Sequence, residues 1–240
     1  MKAIILAGGF ATRLGELGDK IAKPLIEICG KPAIQWIIEK LVKLDLDEII
    51  LTVNLKFKAQ FEEWINKQQI PKIKMIIEPS LKDDDKPGAV QALFNIMHDS
   101  EDNLIIAGDN IFSSDLNGMV EFYREIKKPI VAIVELGNLE LIKQYSTVEV
   151  DDDGKILKFI EKPERPRSSL VGACIYILPG WCKPLIKEYL SIGGDPDSPG
   201  RFIAWLTSKT EVYGFKLGGK WIDIGNPVSL KLAERMFRNH

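Results

Sequence analysis

Residues 3–14 read Ala3-Ile4-Ile5-Leu6-Ala7-Gly8-Gly9-Phe10-Ala11-Thr12-Arg13-Leu14, and the fold is decided there. Ala3 to Ala7 is an unbroken apolar run ending on a glycine pair, the pattern of a strand buried on both faces of a parallel sheet. Parallel strands need crossover connections, usually helices, and the following residues supply them. From Lys31 the apolar residues Ile34, Ile37, Ile38 and Leu41 recur at helical spacing, with Pro32 suited to a first helical turn. Glu48–Val53 reads as the next strand, and Phe57, Phe61, Trp64 and Ile65 mark an amphipathic helix. Ile73–Ile77 and Asn103–Ala107 read as strands on either side of a helix from about Gly88 to His98. A helix over roughly Asp115–Ile126 and a strand over Ile130–Val134 continue the alternation. Strand and helix in regular succession predict a parallel sheet covered on both faces.

Beyond about residue 140 the rhythm changes. Ser146–Val150 and Lys155–Ile160 alternate apolar with polar residues around Asp151-Asp152-Asp153-Gly154, the signature of a β-hairpin. Leu170–Leu178 is a further strand, with helices near Trp181–Leu190 and Arg201–Ser208. Glu211–Leu217 and Lys220–Ile222 read as late strands and Val228–Phe237 as a closing helix. No repeat or linker interrupts the chain, so this part reads as a mixed-sheet elaboration of the first.

Composition removes whole classes of function. The 240 residues carry 32 basic and 34 acidic side chains, a net charge of −2, which gives no global attraction to nucleic acid or to an anionic membrane. The longest stretch without a charged side chain, Ser168–Cys182, contains Gly172, Pro179 and Gly180 and is too short to span a bilayer. Cys29, Cys174 and Cys182 form no C-x-x-C pair, which argues against a disulfide framework and a structural zinc. With His98 and His240 as the only histidines, a Ser-His-Asp triad or a multi-histidine metal site is nearly excluded. What remains is a soluble, cytoplasmic globular protein whose chemistry rests on carboxylates, lysines, arginines and backbone amides.

Four constellations can carry such chemistry, and each has a plain structural reading beside the functional one. Leu6–Leu14 with Lys23-Pro24 places a glycine pair after a buried strand and two cations over the same loop, which describes a polyphosphate cradle. The alternative is a Gly-Gly turn with solvated basic residues. A Walker loop and a G-x-G-x-x-G fingerprint are both absent. Gly108-Asp109-Asn110 follows an apolar strand, where a carboxylate is well placed for magnesium, or is an ordinary Asp/Asn turn. Trp221–Pro227 sets Asp223 between two isoleucines, so that it needs a partner: a metal, or an N-cap role. Glu161-Lys162-Pro163 pairs a hydroxyl acceptor with a phosphate-binding cation, or is a solvated strand end.

In order and spacing these residues resemble the sugar-1-phosphate nucleotidylyltransferases, in particular the glucose-1-phosphate thymidylyltransferase-like branch. The family pattern L-A-G-G-x-G-T-R-L, Lys-Pro, G-D, E-K-P, a glycine before a strand and W-x-D-x-G-x-P stands here as Leu6–Leu14, Lys23-Pro24, Gly108-Asp109, Glu161–Pro163, Gly172 and Trp221–Pro227. The resemblance implies an α/β, Rossmann-like three-layer α/β/α (GT-A-like) fold with a mixed central sheet and a small β-hairpin elaboration. It implies one nucleotidyltransferase domain over 1–240, with a nucleotide-binding half at about 1–135, a sugar-binding half at about 136–240 and no C-terminal β-helix.

By the same resemblance Leu6, Ala7, Gly8, Gly9, Glu78 and Gly88 line the nucleotide, with Glu78 where some members place a base-reading glutamine. Arg13 and Lys23 neutralise phosphates, Asp109 and Asp223 hold the catalytic Mg2+, and Glu161, Lys162 and Gly172 hold the sugar phosphate. The implied activity is transfer of a nucleotidyl group from a nucleoside triphosphate, dTTP or UTP, to a sugar 1-phosphate such as glucose 1-phosphate, releasing pyrophosphate. Two alternatives share the fold: a guanylyltransferase for mannose 1-phosphate or a cofactor phosphate, and a non-catalytic nucleotide-sugar sensor. Three features depart from the pattern: Ala11 in place of a loop glycine, the acidic segment Ser80–Lys86, and the carboxylate of Glu78. The first bears on the loop backbone, the other two on base choice. Asp83–Asp85 and Asp151–Asp153 read as solvated loops. Trp181, Trp205 and Pro199–Leu206 offer either an apolar surface for homo-oligomer contact or ordinary core.

Overall fold

A computed structural model describes residues 1–68 and 73–238. Its strands, in chain order, are β1 (Lys2–Ala7), β2 (Glu27–Ile28), β3 (Lys31–Pro32), β4 (Ile49–Asn54), β5 (Ile73–Glu78), β6 (Asn103–Ala107) and β7 (Asn110–Phe112). They continue as β8 (Ile130–Glu135), β9 (Ser146–Val150), β10 (Ile156–Ile160), β11 (Leu170–Leu178), β12 (Tyr213–Lys216) and β13 (Trp221–Asp223). The α-helices are α1 (Glu16–Lys20), α2 (Ala33–Leu41), α3 (Lys58–Gln68), α4 (Ala89–Ile96) and α5 (Asn117–Ile126). The last four are α6 (Leu139–Ile142), α7 (Lys183–Ser191), α8 (Pro199–Leu206) and α9 (Pro227–Phe237). These fall into two units that are each discontinuous in sequence: 1–87 with 106–116 and 219–240, and 88–105 with 117–218.

In the first unit β1 pairs in parallel with β4, Ala3 opposite Ile49 through Ala7 opposite Val53. Strand β4 pairs in parallel with β5 and ends with Asn54 opposite Glu78. The β1 residues Ala3, Ile4 and Ile5 are wholly buried, as an apolar strand covered on both faces must be. Of two small antiparallel sheets only β13 was read as a strand in the sequence; β2, β3 and β7 were not. Strands β2 and β3 form a hairpin through Cys29 and Gly30, both at positive φ, and β7 pairs with β13 so that Asn110 lies opposite Asp223. Helix α2 begins one residue later than its apolar spacing suggests, because Pro32 is its N-cap and already belongs to β3. An apolar cluster that includes Ala11, Leu14, Trp36, Ile111, Ile222, Ile224 and Phe237 anchors the loops of this unit. Phe237 meets the Trp36 ring edge to face at 5.1 Å.

In the second unit the hairpin is present as read, β9 antiparallel to β10. Strand β9 pairs in turn with β11, Gly172 opposite Ser146. Strand β8 departs from the expected parallel run, being antiparallel to β11 and parallel to β12. Gly88 is the N-cap of helix α4, and its φ of 91° suits glycine alone. A side chain at Gly88 would collide with the Pro196 carbonyl, which accepts the Val90 N–H at 2.7 Å. Trp205 packs on Tyr189 and Phe202, with ring centroids 5.5 and 6.2 Å apart, so this tryptophan serves the core. Parallel and antiparallel pairs together make the sheet mixed, with helices completing an α/β architecture. Among the described residues no helix is long and apolar enough to cross a membrane.

Candidate active site

The first unit gathers most of the residues singled out for the nucleotide and the metal. Strand β1 delivers Leu6 and Ala7 to the Gly8-Gly9 turn. Gly8 is held from two sides: the Asn54 amide donates to its carbonyl at 3.1 Å, and the Glu78 carboxylate lies against its α-carbon. A Cβ at Gly8 would sit 2.5 Å from Glu78 Oε2, so any larger residue there would have to displace that carboxylate. A Cβ at Gly9 would meet nothing within 4 Å, so its backbone faces open space. The β4–β5 register explains the arrangement, since it sets Asn54 and Glu78 side by side at the strand ends. Asn54 also accepts the Phe57 N–H at 3.0 Å and caps the turn leading into α3.

The loop then turns through Ala11, whose φ of 54° and ψ of 32° are left-handed. Arg13 follows on a short 3₁₀ turn, Thr12–Leu14, with its side chain exposed. Lys23 opens a second 3₁₀ turn, Lys23–Leu25, braced by Gln60, which accepts the Ala22 N–H at 3.0 Å and donates to the Lys20 carbonyl at 2.7 Å.

Lys23 Nζ donates to Asp109 Oδ2 at 2.9 Å, both side chains only about a fifth to a quarter exposed (19% and 25%). Burial works against the Lys23 ammonium, but the charge and hydrogen bond of Asp109, joined by the charge of Asp223, outweigh it and hold the lysine above its ordinary value. Asp109 projects from the turn between β6 and β7. Gly108 permits that turn, because a Cβ there would lie 3.0 Å from both the Leu6 carbonyl and Pro24 Cγ. Asn110 fixes Asp109 through a 3.2 Å bond to Oδ1, and its own Oδ1 accepts the Trp221 indole N–H at 2.6 Å.

The β7–β13 pairing carries Asp223 to the same place, and the Ile224 N–H donates to the Asp109 carbonyl at 3.0 Å. Burial raises the Asp223 carboxyl above its usual range and the negative charge of Asp109 adds to it. The Gly225 N–H bond, Lys23 and Arg13 pull the other way. Asp223 is therefore no N-cap: that role falls to Asn226, whose side chain accepts the Val228 and Ser229 N–H groups ahead of α9.

Two half-buried carboxylates acting on each other, with a lysine as partial counter-ion, suit a hard divalent cation. Among the described residues no group of three or more His, Cys, Asp or Glu is arranged to hold a metal. A carboxylate pair fits Mg2+, which is commonly held by one or two carboxylates with water and substrate phosphate completing its octahedron. Asp109 and Asp223 would be its ligands.

The second unit holds Gly88, the N-cap of α4, and the residues singled out for the sugar phosphate. Glu161 and Lys162 follow β10, and Lys162 Nζ lies 3.5 Å from Glu161 Oε1. Lys162 has a φ of 45°, a left-handed backbone that its Cβ disfavours, and its N–H donates to the Tyr145 carbonyl at 3.2 Å. Gly172 lets the Phe159 ring pack on the backbone of β11, where a Cβ would come within 3.0 Å of it. Asn54, which holds Gly8, and Asn110, which holds Asp109, are the residues of the first unit's candidate site that sequence reasoning missed. Asn110 stood inside a noted motif; Asn54 had no local signal beyond ending an apolar strand.

A glycine turn after the first strand, Lys23 bonded to one of two neighbouring carboxylates and an exposed Arg13 make an arrangement able to receive phosphate groups and a divalent ion. The chain matches the family described as nucleotidyl transferase over residues 2–239, and it belongs to that family. It is 35% identical over 237 residues to the bifunctional protein GlmU of Methanocaldococcus jannaschii, covering 98% of this chain and 54% of that protein. The chain thus spans about half the length of the first curated relatives it matches. It is 29% identical to UTP–glucose-1-phosphate uridylyltransferase AglF of Haloferax volcanii, with 98% and 96% of the two chains covered. Among solved structures it resembles a UDP-glucose pyrophosphorylase complexed with UDP-glucose, with a TM-score of 0.80, 21% identity and coverage of 98% and 97%. That last likeness is one of fold, the three-layer α/β arrangement with a mixed sheet.

Proposed function

We propose that the chain transfers a nucleotidyl group from a nucleoside triphosphate to a sugar 1-phosphate and releases pyrophosphate. The observation that carries this reading is the Lys23–Asp109 pair with Asp223 beside it, at the ends of the strands that follow the glycine loop. An oxygen of the sugar phosphate attacks the α-phosphorus in line, the bond to the bridging oxygen breaks, and pyrophosphate leaves with its electrons. The nucleophile is already an anion, so no histidine base is required, in accord with a chain that has two histidines. Catalysis is then positioning and charge neutralisation.

In this reading Gly8 and Gly9 offer backbone to the triphosphate, and Arg13 and Lys23 neutralise it. Glu161, Lys162 and Gly172 hold the acceptor. Mg2+ bound by Asp109 and Asp223 would supply Lewis-acid stabilisation of phosphate charge. The site of action is the cytoplasm, where both substrates are made.

Uridylyl or thymidylyl transfer to glucose 1-phosphate is the pair we put first. Glu78 favours a second reading. An ionised carboxylate only accepts hydrogen bonds, and guanine offers two adjacent donors, N1–H and N2–H2, where uracil and thymine offer one. If the base lies at Glu78 beside Gly8, a guanylyl donor is the better match. Pyrophosphate release measured across a matrix of nucleoside triphosphates and sugar 1-phosphates with magnesium separates the readings. Turnover with UTP or dTTP and glucose 1-phosphate supports the first, and turnover confined to GTP the second. Silence in every combination, with nucleotide sugar still bound, overturns both in favour of a sensor.

A further inference from the structure

Ser146, the first residue of β9, bonds Glu161 and pairs with Gly172 of the proposed acceptor set, although nothing in the sequence drew attention to it. Its hydroxyl donates to Glu161 Oε2. Its backbone lies opposite Gly172 in the β9–β11 ladder. The preceding residue, Tyr145, accepts the Lys162 N–H at 3.2 Å and so ties down the left-handed backbone of that lysine. The Ser146 side chain is buried, and Glu161 is 17% exposed.

The far side of the pair is closed by α8. Gly200, the second residue of that helix, is buried against it: a Cβ there would collide with Glu161 Oε2 and lie 2.7 Å from Ser146 Oγ. Glu161 Oε2 is therefore enclosed by the serine hydroxyl and the glycine backbone. Oε1 faces Lys162 and is the oxygen left to accept from a ligand. A carboxylate whose plane is fixed in this way presents its free lone pairs in one direction. One held only by an exposed lysine would rotate, and fixing it beforehand lowers the entropy cost of binding.

We infer that Ser146 is a positioning residue for acceptor recognition, orienting the Glu161 carboxylate toward the hydroxyls of a phosphorylated sugar, with Gly200 keeping the enclosure free of side chains. The inference rests on the proposed role of Glu161. It predicts a defect in acceptor binding alone, because Ser146 belongs to the acceptor set and not to the glycine loop.

The test is a kinetic cycle over wild type, Ser146→Ala, Glu161→Gln and the double variant, using the most active triphosphate and sugar 1-phosphate pair from the matrix. Circular dichroism and melting temperature establish that each variant is folded. KM for the sugar 1-phosphate should rise about tenfold in Ser146→Ala, the scale of one lost hydrogen bond to a charged group, while KM for the triphosphate moves less than about twofold. The double variant should be no worse than Glu161→Gln alone, since the serine acts through the glutamate. Ser146→Thr, which keeps the hydroxyl, should recover much of the loss. An unchanged sugar-phosphate KM in Ser146→Ala, beside a raised one in Glu161→Gln, overturns the role of Ser146 and leaves that of Glu161 standing. If Glu161→Gln leaves that KM unchanged too, the acceptor reading itself fails, and the inference with it.

Discussion

Gly18 packs onto Ala11 so closely that a Cβ on the glycine would collide with the Ala11 carbonyl oxygen and approach the Ala11 methyl to 2.9 Å. The loop between β1 and Lys23 is thus closed by a contact across α1, and Ala11 takes part in it while holding a left-handed backbone. Three terms decide what glycine would do at position 11. Relief of the left-handed strain is about 1–2 kcal/mol. Against it stand about 0.8 kcal/mol for a buried methyl and about 0.4–1 kcal/mol of added unfolded-chain entropy. These offset one another, so Ala11→Gly should leave urea-unfolding stability within about 1 kcal/mol of wild type. Ala11→Val should cost about 2 kcal/mol or more, since a branched side chain is a true outlier there. Gly18→Ala should destabilise as well. A stable Ala11→Val protein would contradict the left-handed geometry.

Asp109 and Asp223 test the proposed chemistry directly. Asp223→Asn and Asp109→Asn should each lower turnover on the order of 10²–10³-fold, the size of comparable electrostatic deletions. Asp223→Asn should not unfold the protein, because it removes a half-buried charge from beside a like charge. Removing magnesium with a chelator should abolish pyrophosphate release and leave the melting curve nearly unchanged. Near-full activity in a folded Asp223→Asn protein would exclude that residue from the metal site.

Asn54 gives a test of the glycine loop that involves no charge. The residue is buried and makes one bond as donor, to Gly8, and one as acceptor, from Phe57. Asn54→Ala leaves both partners unpaired and should cost about 2–3 kcal/mol. Asn54→Asp keeps the Phe57 cap but turns a lone pair toward the Gly8 carbonyl. It should be the more damaging of the two to triphosphate affinity, read as KM for the nucleotide. Equal nucleotide KM values in both variants and wild type would show that the Gly8 carbonyl needs no anchor.

Cys182 sets an alkaline limit on stability. The thiol is fully buried, and burial with the nearby charge of Asp102 pushes it up to about 12. In the unfolded chain it deprotonates near 8.5, so above that pH the unfolded state holds fewer protons than the folded one and stability falls as pH rises. The slope is about 1.4 kcal/mol per pH unit until the folded value is reached. Urea midpoints measured from pH 7 to 10 should fall more steeply in wild type than in Cys182→Ala. Parallel slopes would show that the thiol ionises as readily inside as out.

The alternation of apolar runs and amphipathic helices located the longer elements, since burial on one face or two leaves a period in the residues themselves. Gly8, Asp109 and Asp223 were also legible, because each breaks an apolar run with a residue that needs a reason to be there. Strands β2, β3 and β7 and helices α1 and α6 were not, since segments this short carry no period, and β13, though read as a strand, pairs with β7 across more than a hundred residues of chain. The antiparallel placement of β8 was missed because an apolar strand reads alike in either direction.

The sequence alone therefore determined that the chain is an α/β protein, and it singled out the residues whose chemistry suits phosphate and a divalent ion. Only the tertiary structure decided how those residues act on one another. Lys23 raised by Asp109, Asp223 raised by burial, Asn54 on the Gly8 carbonyl, and Ser146 on Glu161 all join side chains distant in sequence. The physical reason is that electrostatics and hydrogen bonding depend on distances of a few ångströms and on exclusion of water. Strand register and packing fix both, and no local pattern records either.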